Sequence, residues 1–110
     1  MQILVHHDDM IQGGESIHEF ARERAEHHLG RFSRHVTNIN VHFADENGPK
    51  KGEYRITIEA HFAHRGPVVI HHQGDDLRVA YDLALDKMKR LLNDEIEKAR
   101  DTPIHRAAHR

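Results

Sequence analysis

A chain of 110 residues has the size of a single domain, and its 37% apolar and 31% charged residues are typical of a globular protein. No apolar run approaches the ~20 residues that cross a bilayer, and the first residues do not read as a leader peptide, so we expect a cytoplasmic protein without a membrane partner. The absence of cysteine excludes disulfides and thiolate chemistry, and the net charge of -2 gives no global positive field for nucleic acid, although 13 histidines make the charge sensitive to pH.

The first strand and the first helix are predicted before residue 33. Residues Gln2 to Val5 are β-prone, and a loop rich in Asp and Gly follows them. Ser16 is followed three residues later by Glu19, which is the pattern of a capping box at a helix start. Apolar residues then recur at helical spacing, namely Ile17, Phe20, Ala21, Ala25, Leu29 and Phe32. We therefore predict a helix from about Ser16, with Gly30 either ending it or lying one turn before its end.

Three further strands and a second helix are predicted after this point. From Asn38 the apolar residues Ile39, Val41 and Phe43 alternate with polar ones, which indicates a half-buried strand. The segment "DENGPKKG" at residues 45–52 is turn-rich, and "EYRITIEAHF" resumes the alternation, so the two strands form a hairpin. The segment "VVIHHQ" gives the last strand, and "GDD" stops it and caps a helix that runs toward residue 100.

The resulting order is β-α-β-β-β-α, which predicts an α+β fold. Strand alternation leaves one face of the sheet polar, so both helices are expected to pack on the other face of a four-stranded, mostly antiparallel sheet. We expect residues 1–100 to form this domain and residues 101–110 to be a basic, flexible tail.

The second helix carries one apolar stripe and an outer face whose charges are ordered by sign. On a helical wheel the stripe contains Leu77, Ala80, Tyr81, Ala84, Met88, Leu91 and Leu92. The basic residues follow two flanks with acidic residues between them: Lys87, Arg90 and Lys98 on one flank, Arg78, Lys89 and Arg100 on the other, and Asp82, Asp86 and Glu97 between. Spacing alone favours an ordinary solvated helix over a binding face, because charged helix surfaces are common.

The segment "QGDDLRVAYDLALDKMKRLL" resembles the last strand and final helix of the hibernation-promoting factor and ribosome-associated inhibitor family. The matching residues are Gly74, Asp76, Leu77, Ala80, Asp82, Asp86, Lys87, Met88 and Arg90. "SIHEFARERAEHHLGRF" resembles the first helix of that family, and "VTNINVHFADEN" resembles its second strand. The likeness spans roughly residues 2–100.

The resemblance implies a fold similar to a double-stranded-RNA-binding domain and a function at the ribosome. Members bind the decoding channel of the small ribosomal subunit, where mRNA and tRNA would lie, and hold ribosomes silent under stress. The implied partner is 16S rRNA, with no cofactor and no small-molecule substrate. The resemblance implies that basic residues of the two helices bind rRNA, and the residues carried over to this sequence are Arg24, Lys87 and Arg90. Further RNA-binding candidates are the other basic residues of the same segments, namely Arg22, Arg31, Arg78, Lys89 and Lys98. Lys and Arg suit phosphate contacts because they release condensed counterions without reading base sequence.

Two other functions remain open. Histidines from several strands, such as His42, His61 and His71, could form a metal site, although adjacent histidine pairs have poor chelating geometry. Val79 and Leu83 lie outside the apolar stripe and would fit a protein partner, so a regulatory module acting on the transcription machinery is the other alternative. No phosphate-binding Gly loop and no nucleophile-base pattern is present, so we do not expect an enzyme.

Overall fold

The computed structural model describes residues 1–8, 14–45 and 53–109, and over these it confirms the predicted order of elements. The strands are β1 (Gln2–His7), β2 (Val36–Asp45), β3 (Tyr54–Phe62) and β4 (Val68–Gly74). The helices are α1 (Gly14–Leu29) and α2 (Leu77–His109), and a short 3-10 turn over Gly30–Phe32 follows α1. The predicted hairpin turn between β2 and β3 falls on residues 46–52, which lie outside the described residues.

The four strands form one sheet in the order β1-β2-β3-β4. β1 pairs with β2 in parallel, whereas β2 with β3 and β3 with β4 are antiparallel. Parallel neighbours require a crossover connection, and α1 provides it between β1 and β2. The fold is therefore α+β with a mixed sheet, which agrees with the expected class.

Alternation along the strands sorts the side chains as predicted. The inward side chains of β2 and β3 are fully buried at Ile39, Val41, Phe43, Ile56 and Ile58. The outward positions of the same strands carry polar residues that keep part of their surface exposed, among them Asn40, His42, Thr57, Glu59 and His61. Both helices cover the apolar face, because residues of α1 and α2 join the same buried cluster as these strands.

The helix ends differ from the prediction in two respects, the start of α1 and the end of α2. α1 begins at Gly14, so Ser16 lies inside its first turn and is not the residue before it. α2 begins as predicted after "GDD", where the Asp76 carboxylate accepts the backbone N–H groups of Arg78 and Val79 at 3.1 and 3.2 Å. α2 then continues to His109, past the predicted end near residue 100. The expectation of a flexible tail at residues 101–110 stays a prediction.

The buried stripe of α2 is wider than the wheel indicates. Leu85 was not assigned to the stripe, yet it is fully buried, whereas Leu91 is only partly buried. Leu85 lies toward α1, so a second helix packed alongside extends the covered surface in that direction. Val79 and Leu83 stay outside the core as predicted, with 56% and 53% of their surface exposed.

Candidate nucleic-acid interface

The two helices lie side by side on the sheet and run in the same direction. The Tyr81 hydroxyl donates a hydrogen bond to the Ala21 carbonyl oxygen at 2.6 Å, and the Phe20 and Tyr81 rings are 6.0 Å apart. Further along, the Arg31 guanidinium donates to Asn93 Oδ1 at 3.2 Å. Phe20 and Ala21 contact Tyr81, and Arg31, later in the chain, contacts Asn93, later in α2. The two helices are therefore parallel, and these contacts follow one continuous groove between them.

Arg24 crosses this groove from α1 to α2. Its Nε lies 2.9 Å from Asp82 Oδ1 and its Nη2 lies 2.8 Å from Asp82 Oδ2, so the pair is bidentate. The side chains of Arg24 and Asp82 keep 41% and 37% of their surface exposed. Arg24 thus places a positive charge in the groove, where a carboxylate holds it.

His28 lies one turn beyond Arg24 and belongs to the same groove. Burial is the largest cause that lowers the pKa of its imidazole. The Asp82 carboxylate raises this pKa, whereas Arg24, His27 and Lys89 lower it further. Lys89, from the predicted site set, lies seven residues after Asp82 and therefore on the same side of α2, toward the groove. Protonated His28 would add a further positive charge next to Arg24.

Two more arginines of the predicted set border the groove and are held by aromatic rings. The Arg78 guanidinium lies 4.3 Å from the centre of the Phe20 ring, and that of Arg31 lies 5.1 Å from the centre of the Phe32 ring. Neither arginine forms an ion pair with a carboxylate of the described residues. Their charges are therefore positioned by ring contacts and remain available to an anion.

Lys87, Arg90 and Lys98 lie on the other flank of α2, away from α1, and we call them the outer row. Arg90 is paired with Asp86 one turn earlier. Lys87 is exposed and has no ion-pair partner in the part of the chain that the structure describes. The exposed Val79 and Leu83 lie beside this row, so the basic residues form two groups with an apolar strip next to one of them.

Arg22 is separated from both groups. It lies on the side of α1 that faces away from α2, in a shallow depression that it shares with Glu19, Glu23 and Glu26. Three carboxylates around one guanidinium make a local environment that repels phosphate. The structure thus brings Arg24, Arg31, Arg78 and Lys89 together along the groove, places Lys87, Arg90 and Lys98 in the outer row, and leaves Arg22 apart.

The histidines proposed as metal ligands are held by other partners on the outer face of the sheet. His42 Nε2 lies 3.2 Å from Asp8 Oδ1, His71 Nδ1 lies 3.0 Å from Thr57 Oγ1, and His61 Nε2 lies 3.1 Å from Glu59 Oε1. Across residues 1–8, 14–45 and 53–109 no three His, Asp or Glu side chains come together in a group that could hold a metal ion. In the same part of the chain, no helix is long and apolar enough to cross a membrane.

Sequence reasoning missed the partners that organise the groove. From sequence, Asp82 is a residue of the family resemblance with no partner assigned in α1, and neither Asn93 nor Phe20 is connected with a basic residue. Arg24 and Asp82 are separated by 58 positions in the chain. Their pairing follows from the parallel packing of the helices, for which no local pattern gives a signal.

The comparisons with known proteins agree with this architecture. A family model described as sigma 54 modulation protein / S30EA ribosomal protein matches residues 7–100. None of the curated proteins compared with the sequence matches it. A ribosomal subunit interface protein from Coxiella burnetii is similar in structure, with a TM-score of 0.68 and 18% identity over 89% of this chain and 100% of that chain. The N-terminal domain of Protein Y from Thermus thermophilus has a TM-score of 0.58 and 19% identity over 83% of this chain and 94% of that chain.

At these identities the two structures establish the shared fold, and the family model establishes the relationship in sequence over most of the chain. The resemblance identified in the first and last helices is thereby confirmed, and the chain belongs to the sigma 54 modulation protein / S30EA ribosomal protein family.

Proposed function

We propose that this protein associates with the ribosome by binding rRNA phosphates of the small subunit, and that it silences or protects ribosomes under stress. It acts by occupying the channel of mRNA and tRNA rather than by chemistry. Family membership supports this proposal, as do the two structural relatives, one of which is described as a ribosomal subunit interface protein.

The observation that carries the proposal is the groove between the helices. Arg31, Arg78 and Lys89 border it without carboxylate partners among the described residues, and Arg24 is held between them by Asp82. Cations fixed by ring contacts and a bidentate pair lose little conformational freedom when phosphate arrives. The overall charge of -2 is therefore compatible with a locally positive binding surface.

The outer row gives the surface a second set of contacts. The exposed Lys87 can reach an anion directly, whereas the Arg90 guanidinium is already in an ion pair with Asp86. Phosphate contacts of this kind are sequence-independent, and each one makes the affinity more dependent on salt. We therefore expect ribosome association that weakens steeply as salt is raised.

The test is sedimentation of the tagged protein through sucrose gradients from growing and stationary cells, at low and high salt. We expect the protein to migrate with small subunits or whole ribosomes at low salt and to stay at the top at high salt. A combined variant Arg31→Ala, Lys89→Ala should lose this association, whereas Arg22→Ala, the matched arginine among glutamates, should keep it. A wild-type protein that stays at the top of every gradient would contradict the proposal.

A second candidate function is supported by the exposed apolar strip. Val79 and Leu83 lie one turn apart on α2 with more than half of their surface exposed, which suits a protein partner. The alternative is a regulatory module that acts on the transcription machinery. Pull-down with and without RNase separates the two, because RNase should release an rRNA-dependent complex and leave a direct protein complex intact.

A further inference from the structure

A cleft of about 880 Å³ lies at the end of the molecule where the chain leaves α1, where β3 turns into β4, and where α2 passes both. Basic and aromatic side chains dominate its lining, which includes Arg34, His35, Phe62, His64, Arg65 and Glu95. A volume of this size is in the range of small-molecule sites. None of these residues belongs to the groove or to the outer row.

The floor of the cleft is apolar and belongs to the fold. Phe62 and Ile96 are partly buried and pack against the hydrophobic core. The turn that presents Arg34 is fixed on both sides, because the backbone N–H of Ser33 donates to the Gly30 carbonyl and that of His35 donates to the Phe32 carbonyl, at 3.1 and 2.9 Å. The cleft is therefore built on ordered backbone from three elements.

Arg65 is positioned by two contacts inside the cleft. Its guanidinium forms an ion pair with Glu95 and lies 5.0 Å from the centre of the Phe62 ring. The hydrogen bond from Arg65 lowers the pKa of the Glu95 carboxyl, so this group stays ionised and keeps hold of the arginine. The remaining N–H donors of Arg65 are left for a ligand, since a guanidinium carries five.

Arg34 supplies a second guanidinium with no compensating carboxylate. It is exposed and has no ion-pair or hydrogen-bond partner among the described residues, and the same holds for the ring nitrogens of His35 and His64. The cleft therefore holds two guanidinium groups against the single carboxylate of Glu95, with two imidazoles beside them. An anion that enters meets a positive excess and several free donors.

We propose that this cleft is a binding site for a phosphate group carried on a small organic body, with a nucleoside monophosphate as the fitting class. Arg34 and Arg65 bind the phosphate, His35 and His64 add donors, and the apolar floor of Phe62 and Ile96 covers the organic part. The same chemistry is offered by a free nucleotide and by the phosphorylated end of an RNA strand. The site does not depend on the ribosome-binding surface, so the two proposals succeed or fail separately.

The experiment is a titration of the ¹⁵N-labelled full chain with AMP, adenosine and inorganic phosphate at constant ionic strength, followed by amide chemical shifts. We expect AMP to shift residues 34–35, 62–65 and 95–96, phosphate to shift them with weaker affinity, and adenosine to leave them unchanged. Arg34→Ala and Arg65→Ala should each weaken AMP binding about tenfold, because each removes a charge-assisted hydrogen bond. Arg34→Lys, which keeps the charge but not the fork of donors, should fall between wild type and Arg34→Ala.

Arg22→Ala is the matched control, because it removes an exposed arginine far from the cleft and should change AMP affinity by less than about twofold. The proposal is overturned if AMP leaves the cleft residues unshifted, if adenosine shifts them as strongly as AMP, or if Arg22→Ala weakens binding as much as Arg34→Ala. A 5′-phosphorylated RNA oligonucleotide added to the AMP complex then identifies the source. Displacement of AMP assigns the site to an RNA end, and retention of AMP assigns it to a free nucleotide.

Discussion

The pair Arg24 and Asp82 determines how much positive charge the groove presents. Both side chains are more than a third exposed, so the pair contributes only about 0.2–1 kcal/mol to folding. In the proposed complex with rRNA its effect on binding should be larger, because Asp82 positions the Arg24 guanidinium and would also compete with phosphate for it. We therefore expect Asp82 to compete with the phosphate that the proposed function assigns to the groove.

Asp82→Asn should tighten ribosome association, and Arg24→Ala should weaken it, while both variants stay folded with stability within about 1 kcal/mol of wild type. The measurement is ribosome co-sedimentation at several salt concentrations, with urea unfolding of the same samples. Asp94→Asn removes an exposed carboxylate of α2 outside the groove and serves as the control for general charge. Weaker association of Asp82→Asn, or unfolding of Arg24→Ala, would contradict this account.

Tyr81 links the helices through a buried hydroxyl. Burial and the negative charge of Asp82 raise its pKa, so the hydroxyl remains a donor to the Ala21 carbonyl at all ordinary pH values. Tyr81→Phe should lower the free energy of unfolding by about 0.5–1.5 kcal/mol, the net value of one hydrogen bond. Urea denaturation measures this loss. The control is Tyr54→Phe, which deletes a hydroxyl that has no partner among the described residues. If Tyr54→Phe lowered the free energy of unfolding as much as Tyr81→Phe, the loss would not come from the hydrogen bond to Ala21.

At the scale of elements, the junction of β4 and α2 is set by close packing. A Cβ placed on Gly74 would lie 2.9 Å from the Cβ of Ala80. Ala80 cannot easily move away, because it is buried and its backbone N–H is bonded to the Asp76 carbonyl at 2.9 Å. Only glycine therefore fits where the last strand meets the first turn of the helix.

Gly74→Ala should destabilise the protein by about 1–3 kcal/mol, because the helix start must shift to admit one methyl group. Gly66→Ala is the matched control, since a Cβ there meets nothing within 4 Å and the change should stay within about 0.5 kcal/mol. Thermal unfolding of both variants compares them directly. Equal midpoints would mean that the junction tolerates a side chain.

The rotation of α2 about its axis is tested by Leu83 and Leu85, which are two positions apart in the sequence. Leu85→Ala should cost about 2–5 kcal/mol because it opens a cavity in the core, whereas Leu83→Ala should change stability little because Leu83 is 53% exposed. Urea unfolding gives both values. If Leu83→Ala proved the more costly of the two, the placement of α2 on the sheet would be wrong.

The same two leucines show which parts of the fold could be predicted from sequence. The order of elements, the polar outer face of the sheet and the exposure of Leu83 follow from local periodicity, which a single segment displays by itself. The burial of Leu85 and the pairing of Arg24 with Asp82 depend on α1 lying parallel to α2, and the parallel pairing of β1 with β2 depends on the crossover. These features arise between distant segments, so the candidate basic residues were predicted while their partners were not.

At the scale of the whole molecule, the net charge does not describe each surface, because acidic and basic residues are concentrated on different faces. Acidic residues surround Arg22 on the outer side of α1, whereas the groove and the cleft carry unpaired cations. A chain of net charge -2 can therefore bind polyanions on selected faces and remain slightly acidic elsewhere. We expect the protonation of His28 in the groove to change stability and, through the proposed rRNA contacts, binding.

His28 couples stability to pH, because its pKa in the folded protein is below the ordinary histidine value of 6.5. As the pH falls, His28 is protonated in the unfolded chain before it is protonated in the folded protein, and this favours unfolding. The stability is fully present above pH 6.5 and is lost as the pH falls from there through the lowered pKa of the folded state. The thermal midpoint should fall on acidification, and His28→Gln should make that fall smaller. His6→Gln, a change at an exposed histidine of β1, is the control, and a fall unchanged by His28→Gln would contradict the coupling.

Ribosome binding should oppose this loss. In the proposed complex, phosphates bound in the groove would favour the protonated form of His28 and raise the pKa that burial lowers. By linkage, the protonated protein should then bind rRNA more tightly. Association should therefore strengthen as the pH approaches about 6 even while the free protein becomes less stable. Co-sedimentation at constant salt across this pH range measures the first trend, and His28→Gln should flatten it. Association that weakens in parallel with stability would show that His28 does not face the bound phosphates.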